Sequence, residues 1–594
     1  MTPLAVELCV GGRDLTEPRL SPGGARIAWV ESLQGNTRLL TRSLVPDSSD
    51  DVTALVATPA PRAGRGLGGG CWCWTPSGEG VVYAAADGNL WHQPLRHAAR
   101  RLTDLEPRVA QAPVVSPDGT LVAFVVDQME VWCIPAAGGV ARRLDDGSAD
   151  FCFDPAFAPA SSDIVWQAWN VPDMPWDGAR IERTALHSGD RATFAVIGAL
   201  QQPRFVPDGR MICVSDAGAW ANVVVDGARV VDERYEHAGP TWGPGQRSFA
   251  VSSDGRRVAF TRNERGFGRL CVADLDGGGV VDVARGVHGQ LSWEGDRIAA
   301  LRTGARTPTQ VVVHDVRDSF SRRVVDVGAS PAWTGIELTE PETVEIRVEA
   351  AADAGATVHA RLYRADGDAR GLICWVKGGP TDQWQVTFMP RIAFWRSRGW
   401  NVLVGDHRGS TGHGRAYQQA LRGRWGELDV ADTLATVAHA HAHGWGAPET
   451  TALFGGSAGG FTVLGMLAVE ERPAVACAVV SYPVSDLAAL AERSHRFERH
   501  DIANLIAPER WAERSPVTFA HLITTPLLVF HGEDDAVVPV TQSRVLVERM
   551  RAMGASVDLV VYPGEGHGFR LPEHQIDEYR RIEAFLALHM PGRG

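Results

Sequence analysis

The sequence predicts two domains: an N-terminal seven-bladed β-propeller over residues 15–335 and a C-terminal α/β domain with a mostly parallel sheet over residues 336–594. Three observations lead to this prediction. The chain has 594 residues, more than the roughly 100–200 residues of one ordinary domain. A turn motif recurs through the first half, and short apolar runs alternate with helical stretches in the second. Residues 1–14 fit neither pattern, and we expect them to pack on the C-terminal domain.

The repeated unit is a turn of the Ser-Pro-Asp-Gly type followed by a short apolar strand. Proline presets φ, aspartate bonds to the local backbone, and glycine takes the positive φ that closes a hairpin. The seven strands that follow such turns are residues 27–30, 81–83, 122–124, 164–166, 211–213, 258–260 and 298–300. Their spacing of roughly 40–55 residues is typical of a four-stranded propeller blade. The alternative is a β-sandwich whose turns coincide by chance.

The second half contains apolar runs of a different kind. They cover residues 372–376, 402–404, 451–454, 476–480, 527–530 and 559–562. Continuous Val/Leu strands joined by helical crossovers indicate a parallel sheet that is buried on both faces.

Composition excludes several classes of protein. Apolar residues make up 44% and charged residues 22% of the chain, which is typical of a globular protein. The net charge of −13 disfavours nucleic acid and anionic membranes as partners. There is neither a membrane-length apolar run nor a basic N-terminal leader, and the nine cysteines are irregularly spaced. We therefore expect a cytoplasmic protein without disulfides, metal or cofactor.

A nucleophile elbow of the pattern G-x-S-x-G lies at residues 455–459, directly after one of the apolar runs. A serine on such a sharp strand-to-helix turn projects its hydroxyl clear of the sheet. Ser457 is therefore the candidate nucleophile. The N–H of Ala458 lies at the start of the next helix, where it can stabilise an oxyanion.

An acid and a base follow in the chain order Ser…Asp…His that this fold requires. Asp534 and Asp535 follow the run at 527–530, and His567 lies between two glycines after the last run. The expected roles are nucleophile for Ser457, general base and acid for His567, and orienting carboxylate for Asp535, with Asp534 as the alternative. The opposing interpretation is that these are three unrelated loop residues.

These motifs resemble the prolyl oligopeptidase family of serine peptidases, and in particular its acylaminoacyl-peptidase and dipeptidyl aminopeptidase-like branch. The segment His-Gly-Glu-Asp-Asp at 531–535 is similar to a family motif whose fifth residue is the catalytic acid, which favours Asp535. The segment at 406–414 resembles the family's Arg-Gly-Ser-x-Gly loop. The resemblance implies an α/β-hydrolase domain capped by a seven-bladed propeller that restricts access to the site.

The same resemblance implies further site residues. Residues 377–380, Lys-Gly-Gly-Pro, match the family's oxyanion turn, so that the Gly379 N–H is the second oxyanion donor. Lys377 departs from the family, which has His or Tyr there. It either forms a salt bridge or places an ammonium near the oxyanion or a substrate carboxylate. Phe497 and Val537 are further candidates for substrate binding, although the family often has Arg or Asn at the position of Val537.

We therefore predict a serine peptidase that hydrolyses short peptides or N-terminal aminoacyl or acylaminoacyl bonds through an acyl-enzyme. One alternative is an esterase, small-molecule amidase or acyl-transfer enzyme with the same triad. Another is a propeller binding module with an inactive hydrolase domain. The expected partner is a small peptide or aminoacyl substrate, without nucleic acid or membrane, and assembly into a homo-oligomer is left open.

Overall fold

The fold is described from a computed structural model that covers residues 3–45, 51–63, 69–348 and 355–590. The described residues divide into two compact units. One consists of residues 12–330 and 385–388, and the other of residues 1–11, 331–384 and 389–594 within the described ranges. The first unit thus begins three residues earlier and ends five residues earlier than the sequence pattern indicated, and it takes in a short segment at 385–388.

The first unit is a propeller of seven antiparallel four-stranded sheets. Its strands are β1 (Asp14–Leu20), β2 (Arg26–Leu33), β3 (Asn36–Ser43), β4 (Thr53–Val56); β5 (Trp72–Trp74), β6 (Gly80–Ala84), β7 (Leu90–Pro94), β8 (Arg100–Arg101); β9 (Ala110–Val115), β10 (Leu121–Val126), β11 (Glu130–Pro135), β12 (Arg142–Arg143); β13 (Phe151–Phe157), β14 (Asp163–Trp169), β15 (Arg180–Ala185), β16 (Arg191–Phe194); β17 (Leu200–Phe205), β18 (Met211–Ser215), β19 (Asn222–Val225), β20 (Ala228–Arg229); β21 (Phe249–Val251), β22 (Arg257–Glu264), β23 (Phe267–Asp274), β24 (Val281–Arg285); and β25 (Val287–Glu294), β26 (Arg297–Gly304), β27 (Thr307–Asp315), β28 (Ser321–Val327).

Each repeated turn joins the first two strands of one blade, and the predicted apolar strand is the second of these. The turn glycines Gly78, Gly119 and Gly209 have φ of 71°, 74° and 96°. In blade 4, whose turn lacks a glycine, Ser161 takes a φ of 55° instead. Seven separate sheets exclude the β-sandwich, and the seven-bladed propeller is confirmed.

Contacts between the first blade (β1–β4) and the last blade (β25–β28) close the propeller. Leu20 N–H donates to the Ser292 hydroxyl at 3.1 Å, and the Arg13 guanidinium pairs with Asp326 at 2.7 Å. One buried apolar cluster takes residues from both blades, Trp29 and Val311 among them. The first and last blades are therefore joined by side chains.

Each blade has one residue with left-handed backbone conformation in or before its first strand. We call these seven the ring residues, and the sequence did not reveal them. Their φ values lie between 49° and 79°, at Glu17, Gly70, Ala112, Asp154, Gln202, Gly245 and Gln290. In five blades the ring residue lies in a strand whose pairing register shifts there, as at a β-bulge. In the other two blades the ring residue is a glycine that precedes the first strand: Gly70 before β5 and Gly245 before β21.

The two ring glycines, Gly70 and Gly245, lie against each other although they belong to different blades. Gly69 N–H donates to the Pro244 carbonyl at 3.0 Å. A Cβ on Gly245 would lie only 2.2 Å from the Gly70 nitrogen. A side chain at Gly245 would therefore force two backbone segments apart.

We accordingly expect Gly245→Ala to lower the free energy of unfolding by about 2–4 kcal/mol, through overpacking together with the cost of a left-handed alanine. Gly227→Ala is the matched control, because Gly227 has a φ of 84° and no atom within 4 Å of a built Cβ. It should cost only about 1 kcal/mol. Differential scanning calorimetry of both variants measures the difference, and equal unfolding midpoints would contradict the proposed clash.

The second unit contains an eight-stranded sheet. Its strands are β29 (Glu342–Arg347), β30 (Thr357–Tyr363), β31 (Gly371–Val376), β32 (Trp400–Asp406), β33 (Thr451–Gly456), β34 (Cys477–Ser481), β35 (Leu527–Gly532) and β36 (Val557–Tyr562). Their order is β29-β30-β32-β31-β33-β34-β35-β36. All pairs are parallel except β29–β30 and β30–β32. The mostly parallel sheet is confirmed, and the six apolar runs are its six parallel strands.

The sequence interpretation missed the two antiparallel strands. Strand β29 alternates polar and apolar residues along its length, and most of it is exposed or half-buried. An exposed edge strand has no continuous apolar run to reveal it.

Helices in the described ranges are α1 (Val6–Cys9), α2 (Pro175–Gly178), α3 (Pro390–Ser397), α4 (Arg415–Gln419), α5 (Leu428–Ala442), α6 (Ala458–Ala468), α7 (Leu487–Arg493), α8 (Asp501–Leu505), α9 (Trp511–Arg514), α10 (Thr541–Ala552) and α11 (Pro572–His589). A large core cluster of this unit combines strand residues such as Leu453 and Val529 with residues of α6 and α10. This core holds the carboxyl ends of the strands in place.

The first residues of the chain belong to the second unit. Leu4 N–H donates to the Ser397 hydroxyl at 3.0 Å, and the Trp333 indole donates to the Leu8 carbonyl at 3.2 Å. Residues 1 and 2 lie outside the described residues.

Candidate active site

Ser457 lies between β33 and α6 in a strained backbone conformation, with φ of 55° and ψ of −123°. Its neighbours must be small. A Cβ on Gly455 would lie 2.4 Å from the Gly459 carbonyl oxygen, and one on Gly459 would lie 2.3 Å from that of Val376. The side chain of Ser457 is half-buried. This is the geometry of a nucleophile elbow.

Asp535 and His567 form a close pair. The Nδ1 atom of His567 lies 2.7 Å from Oδ2 of Asp535. An ionised carboxylate only accepts hydrogen bonds, so Nδ1 donates in this contact and Nε2 is the ring nitrogen left for the proton transfer proposed below. The neighbouring Asp534 is exposed, and its N–H donates to the Glu565 carbonyl.

The surroundings of Asp535 keep it ionised. The N–H groups of Val537 and Val538 donate to its Oδ1 at 2.9 and 2.8 Å. Burial by itself raises the pKa of Asp535, but hydrogen bonding to His531 and His567 outweighs burial and leaves the pKa below its ordinary value. The His531 ring is fully buried and is fixed by the Ser543 hydroxyl at 2.7 Å. Asp535 is therefore a rigid, charged acceptor for His567.

Glu565 shapes the loop that carries His567, a role the sequence interpretation missed. It is 2% exposed and accepts hydrogen bonds from the N–H groups of Arg570 and Leu571, both at 2.9 Å. His574 lies 3.0 Å from the same carboxylate. The only sequence signal was a carboxylate inside a glycine-rich loop.

Tyr482 connects the nucleophile elbow with the histidine loop. Its ring centre lies 4.5 Å from that of His567, and its Cε2 would lie 3.3 Å from a Cβ on Gly456. Burial raises the pKa of Tyr482 to about 12, so the phenol stays neutral. The end of β33 and the loop after β36 thus both lie against the ring of Tyr482. The sequence interpretation assigned Tyr482 no role.

The candidate oxyanion donors lie on both sides of Ser457. Ala458 is the first residue of α6 and is buried. On the other side, a Cβ on Gly378 would lie 3.6 Å from that of Ser457. The turn that contains Gly379 is therefore adjacent to the elbow, and Gly379 has a φ of 121°.

Lys377 is fully buried, and its Nζ donates to the Pro380 carbonyl at 2.6 Å. No ion pair within 4.0 Å joins it to a carboxylate in the part of the chain that the structure describes. This placement argues against both the salt bridge and a direct contact with substrate.

Of the two other substrate-binding candidates, Phe497 is buried and Val537 is half-buried. Phe497 is 7% exposed, and its N–H lies 3.3 Å from the His495 ring. Val537 packs against an apolar cluster that includes Trp425 and Phe461. Its clearest contribution to the site is the backbone hydrogen bond to Asp535.

A buried ionic network lies close to Lys377, at the start of the candidate oxyanion turn. The Arg361 guanidinium binds both oxygens of Asp406 at 2.7 Å, and Gln383 donates to the same carboxylate at 2.7 Å. Burial raises the pKa of Asp406, but Arg361 and His413 outweigh it and hold the pKa well below its ordinary value. The network fixes Gln383, six residues after Lys377.

In the described ranges, no group of three or more His, Cys, Asp or Glu residues is placed to hold a metal ion. All nine cysteines are free. None of the helices described is long and apolar enough to span a membrane.

A serine elbow, a paired histidine and aspartate, and a glycine turn beside the serine define a hydrolase of the α/β type. The sequence model of the prolyl oligopeptidase family matches residues 386–592. Dipeptidyl aminopeptidase BIII of Pseudoxanthomonas mexicana is 32% identical over 641 aligned positions, which cover 99% of this chain and 89% of that protein. The chain belongs to the prolyl oligopeptidase family of serine peptidases.

Two further comparisons agree with this assignment. Dipeptidyl peptidase family member 6 of Caenorhabditis elegans is 30% identical over 226 residues, which are 36% of this chain and only 30% of that protein. The solved structure of a puromycin-hydrolyzing peptidase of Mycobacterium tuberculosis superposes with a TM-score of 0.89 at 26% identity. The superposition covers 100% of this chain and 97% of the other chain. Both halves of the chain therefore have counterparts in a solved relative.

Proposed function

We propose that this protein hydrolyses short peptides, at N-terminal aminoacyl or acylaminoacyl bonds, through an acyl-enzyme formed on Ser457. The observation that carries the proposal is the 2.7 Å pair of His567 and Asp535, whose histidine loop packs on the same tyrosine as the serine elbow. Support for a peptide substrate comes from the dipeptidyl aminopeptidase that aligns with nearly the whole chain.

The proposed reaction uses one proton carrier in two steps. The Ser457 hydroxyl attacks the substrate carbonyl while Nε2 of His567 takes its proton, and the Ala458 and Gly379 amides stabilise the oxyanion. The C–N bond then breaks, and His567 gives the proton to the leaving amine. Water, deprotonated by His567, attacks the ester carbonyl. The C–O bond to Ser457 then breaks, and His567 returns the proton to the Ser457 oxygen, which releases the acid and the free serine.

We also propose that the propeller limits the substrate to short peptides. Digestion of a short peptide library and of a folded protein, read by mass spectrometry, tests the substrate class. We expect cleavage of the short peptides near their N-termini and none of the folded protein. Hydrolysis of simple esters without any peptide cleavage would contradict the peptidase proposal.

A second candidate function is hydrolysis of an aminoacyl amide that is not a peptide. The observation in its favour is the TM-score of 0.89 with a structure named for puromycin hydrolysis. Puromycin and an aminoacyl anilide, assayed beside a dipeptide library, separate the two. A kcat/KM for puromycin well above that of every peptide would favour the amidase.

A further inference from the structure

Lys377 is the only lysine in the chain. The other 57 of its 58 basic residues are arginines. This single lysine is fully buried and lies directly before the two glycines of the candidate oxyanion turn. Arginine carries a broad, permanently charged guanidinium, whereas lysine carries a compact ammonium whose pKa responds to burial. The position therefore differs in kind from every other basic position of the protein.

The side chain of Lys377 closes its own turn. The Nζ donates to the carbonyl of Pro380, three residues ahead, at 2.6 Å. Gly379 lies inside this link, and a Cβ on it would come within 2.9 Å of the Thr381 nitrogen. Gly378 at the same time lies against Ser457. The hydrogen bond thus fixes the short segment that carries the candidate oxyanion donor.

The residues after the turn are held by other contacts. Thr411 N–H donates to the Asp382 carbonyl at 3.2 Å, and Gln383 donates to Asp406 at 2.7 Å. A Cβ on Gly412 would lie 2.3 Å from Oε1 of Gln383, so this side of the loop is closely packed. The segment 378–380 is the part of the loop that Lys377 itself holds.

The charge of Lys377 depends on the groups that face it. Burial lowers its pKa most and Arg361 lowers it further, while Asp382, Asp406 and Asp429 raise it, and the pKa falls to about 8. His407 adds no charge near neutrality, because burial and Lys377 lower its pKa to about 3. The ammonium is therefore the main form at pH 7 and is lost within the range where activity can be measured.

We propose that Lys377 is a positioning residue, whose ammonium holds the Gly378–Gly379–Pro380 turn so that the Gly379 amide can stabilise the oxyanion. The proposal rests on the proposed function, because it assigns Lys377 to the same site. A charge-assisted hydrogen bond is roughly twice as strong as a neutral one. The neutral amine therefore holds the turn less firmly, and a methionine does not hold it at all.

The first test compares Lys377→Met with Lys377→Arg. Methionine is unbranched and apolar, so it fills a similar space without a donor. We expect kcat of Lys377→Met to fall by about 10- to 100-fold and KM to change by less than about threefold, since the oxyanion forms only after binding. Lys377→Arg should recover part of the lost kcat. A kcat of Lys377→Met within threefold of the unsubstituted enzyme would overturn the proposal.

The second test needs no variant that could fail to fold. Because the chain has one lysine, protein grown on isotope-labelled lysine gives a single lysine side-chain signal in an NMR titration. We expect its midpoint near pH 8, against about 10.4 for free lysine, and a several-fold fall in kcat through the same midpoint. A kcat that stays flat through this titration would overturn the proposal.

Stability supplies a readout that separates positioning from simple structural support. An unfolded chain keeps the lysine proton up to about pH 10.4. Between about pH 8 and 10.4 the unfolded state therefore binds more protons than the folded state. The free energy of unfolding of the unsubstituted protein, relative to that of Lys377→Met, then rises with pH. Activity should fall while this relative stability rises. A merely structural lysine would give no fall in activity as stability increases.

These outcomes are distinguishable from failure of the proposed function. If Ser457→Ala remains active, the hydrolase assignment fails, whatever the lysine titration shows. If Ser457→Ala is inactive while Lys377→Met keeps its kcat, only the role of Lys377 fails.

Discussion

Replacement of Ser457 by alanine is expected to lower kcat by about 10⁴- to 10⁶-fold. The substitution removes the hydroxyl of the proposed nucleophile, which lies on the strained turn between β33 and α6. Steady-state kinetics on the best peptide substrate measures the loss. A fluorophosphonate, which reacts with activated serines, should label the unsubstituted protein and leave Ser457→Ala unlabelled.

Ser481→Ala is the matched control for this experiment. Ser481 ends the neighbouring strand β34, and its hydroxyl makes a long, 3.4 Å contact with Glu578. We expect this variant to keep kcat within about threefold and to be labelled normally. Undiminished hydrolysis by Ser457→Ala would place the chemistry elsewhere, and loss of label in both variants would show that the label does not report on Ser457.

The blade count was predictable because one local motif is repeated. Proline, aspartate and glycine make each turn by their own conformational preferences, so the motif is visible without knowledge of the fold. The ring of left-handed residues was not predictable. Glu17, Ala112 and Gln290 share no side-chain type, and their positive φ values arise where the pairing register of the first strand of the blade shifts. Only tertiary packing shows that these residues correspond.

The candidate site likewise contains residues that the sequence identified and residues that it did not. Ser457 and His567 were identifiable because glycine-rich loops follow apolar strands in a required chain order. Tyr482 and Glu565 were not, because each acts by packing or by binding backbone amides contributed from elsewhere. The role of Lys377 was left open because sequence alone gives neither its burial nor its partner.

The adjacent residues Asp534 and Asp535 allow the orienting carboxylate to be tested with an internal control. Asp535→Asn should lower kcat by about 10⁴-fold, since an amide donor can face Nδ1 of His567 and place the imidazole proton on the nitrogen that must accept one. Asp534→Asn removes the same charge one residue away, but Asp534 is exposed and contacts the histidine loop through its backbone. Its kcat should stay within about threefold.

Both variants remove one carboxylate charge from the same loop, so a loss confined to Asp535→Asn is assigned to the carboxylate that pairs with His567. The readout is kcat for both variants at one pH, with calorimetry to confirm that both fold. Equal losses would mean that charge near the loop matters and its placement does not. No loss in either would remove Asp535 from the mechanism, because the 2.7 Å contact could then contribute only to stability.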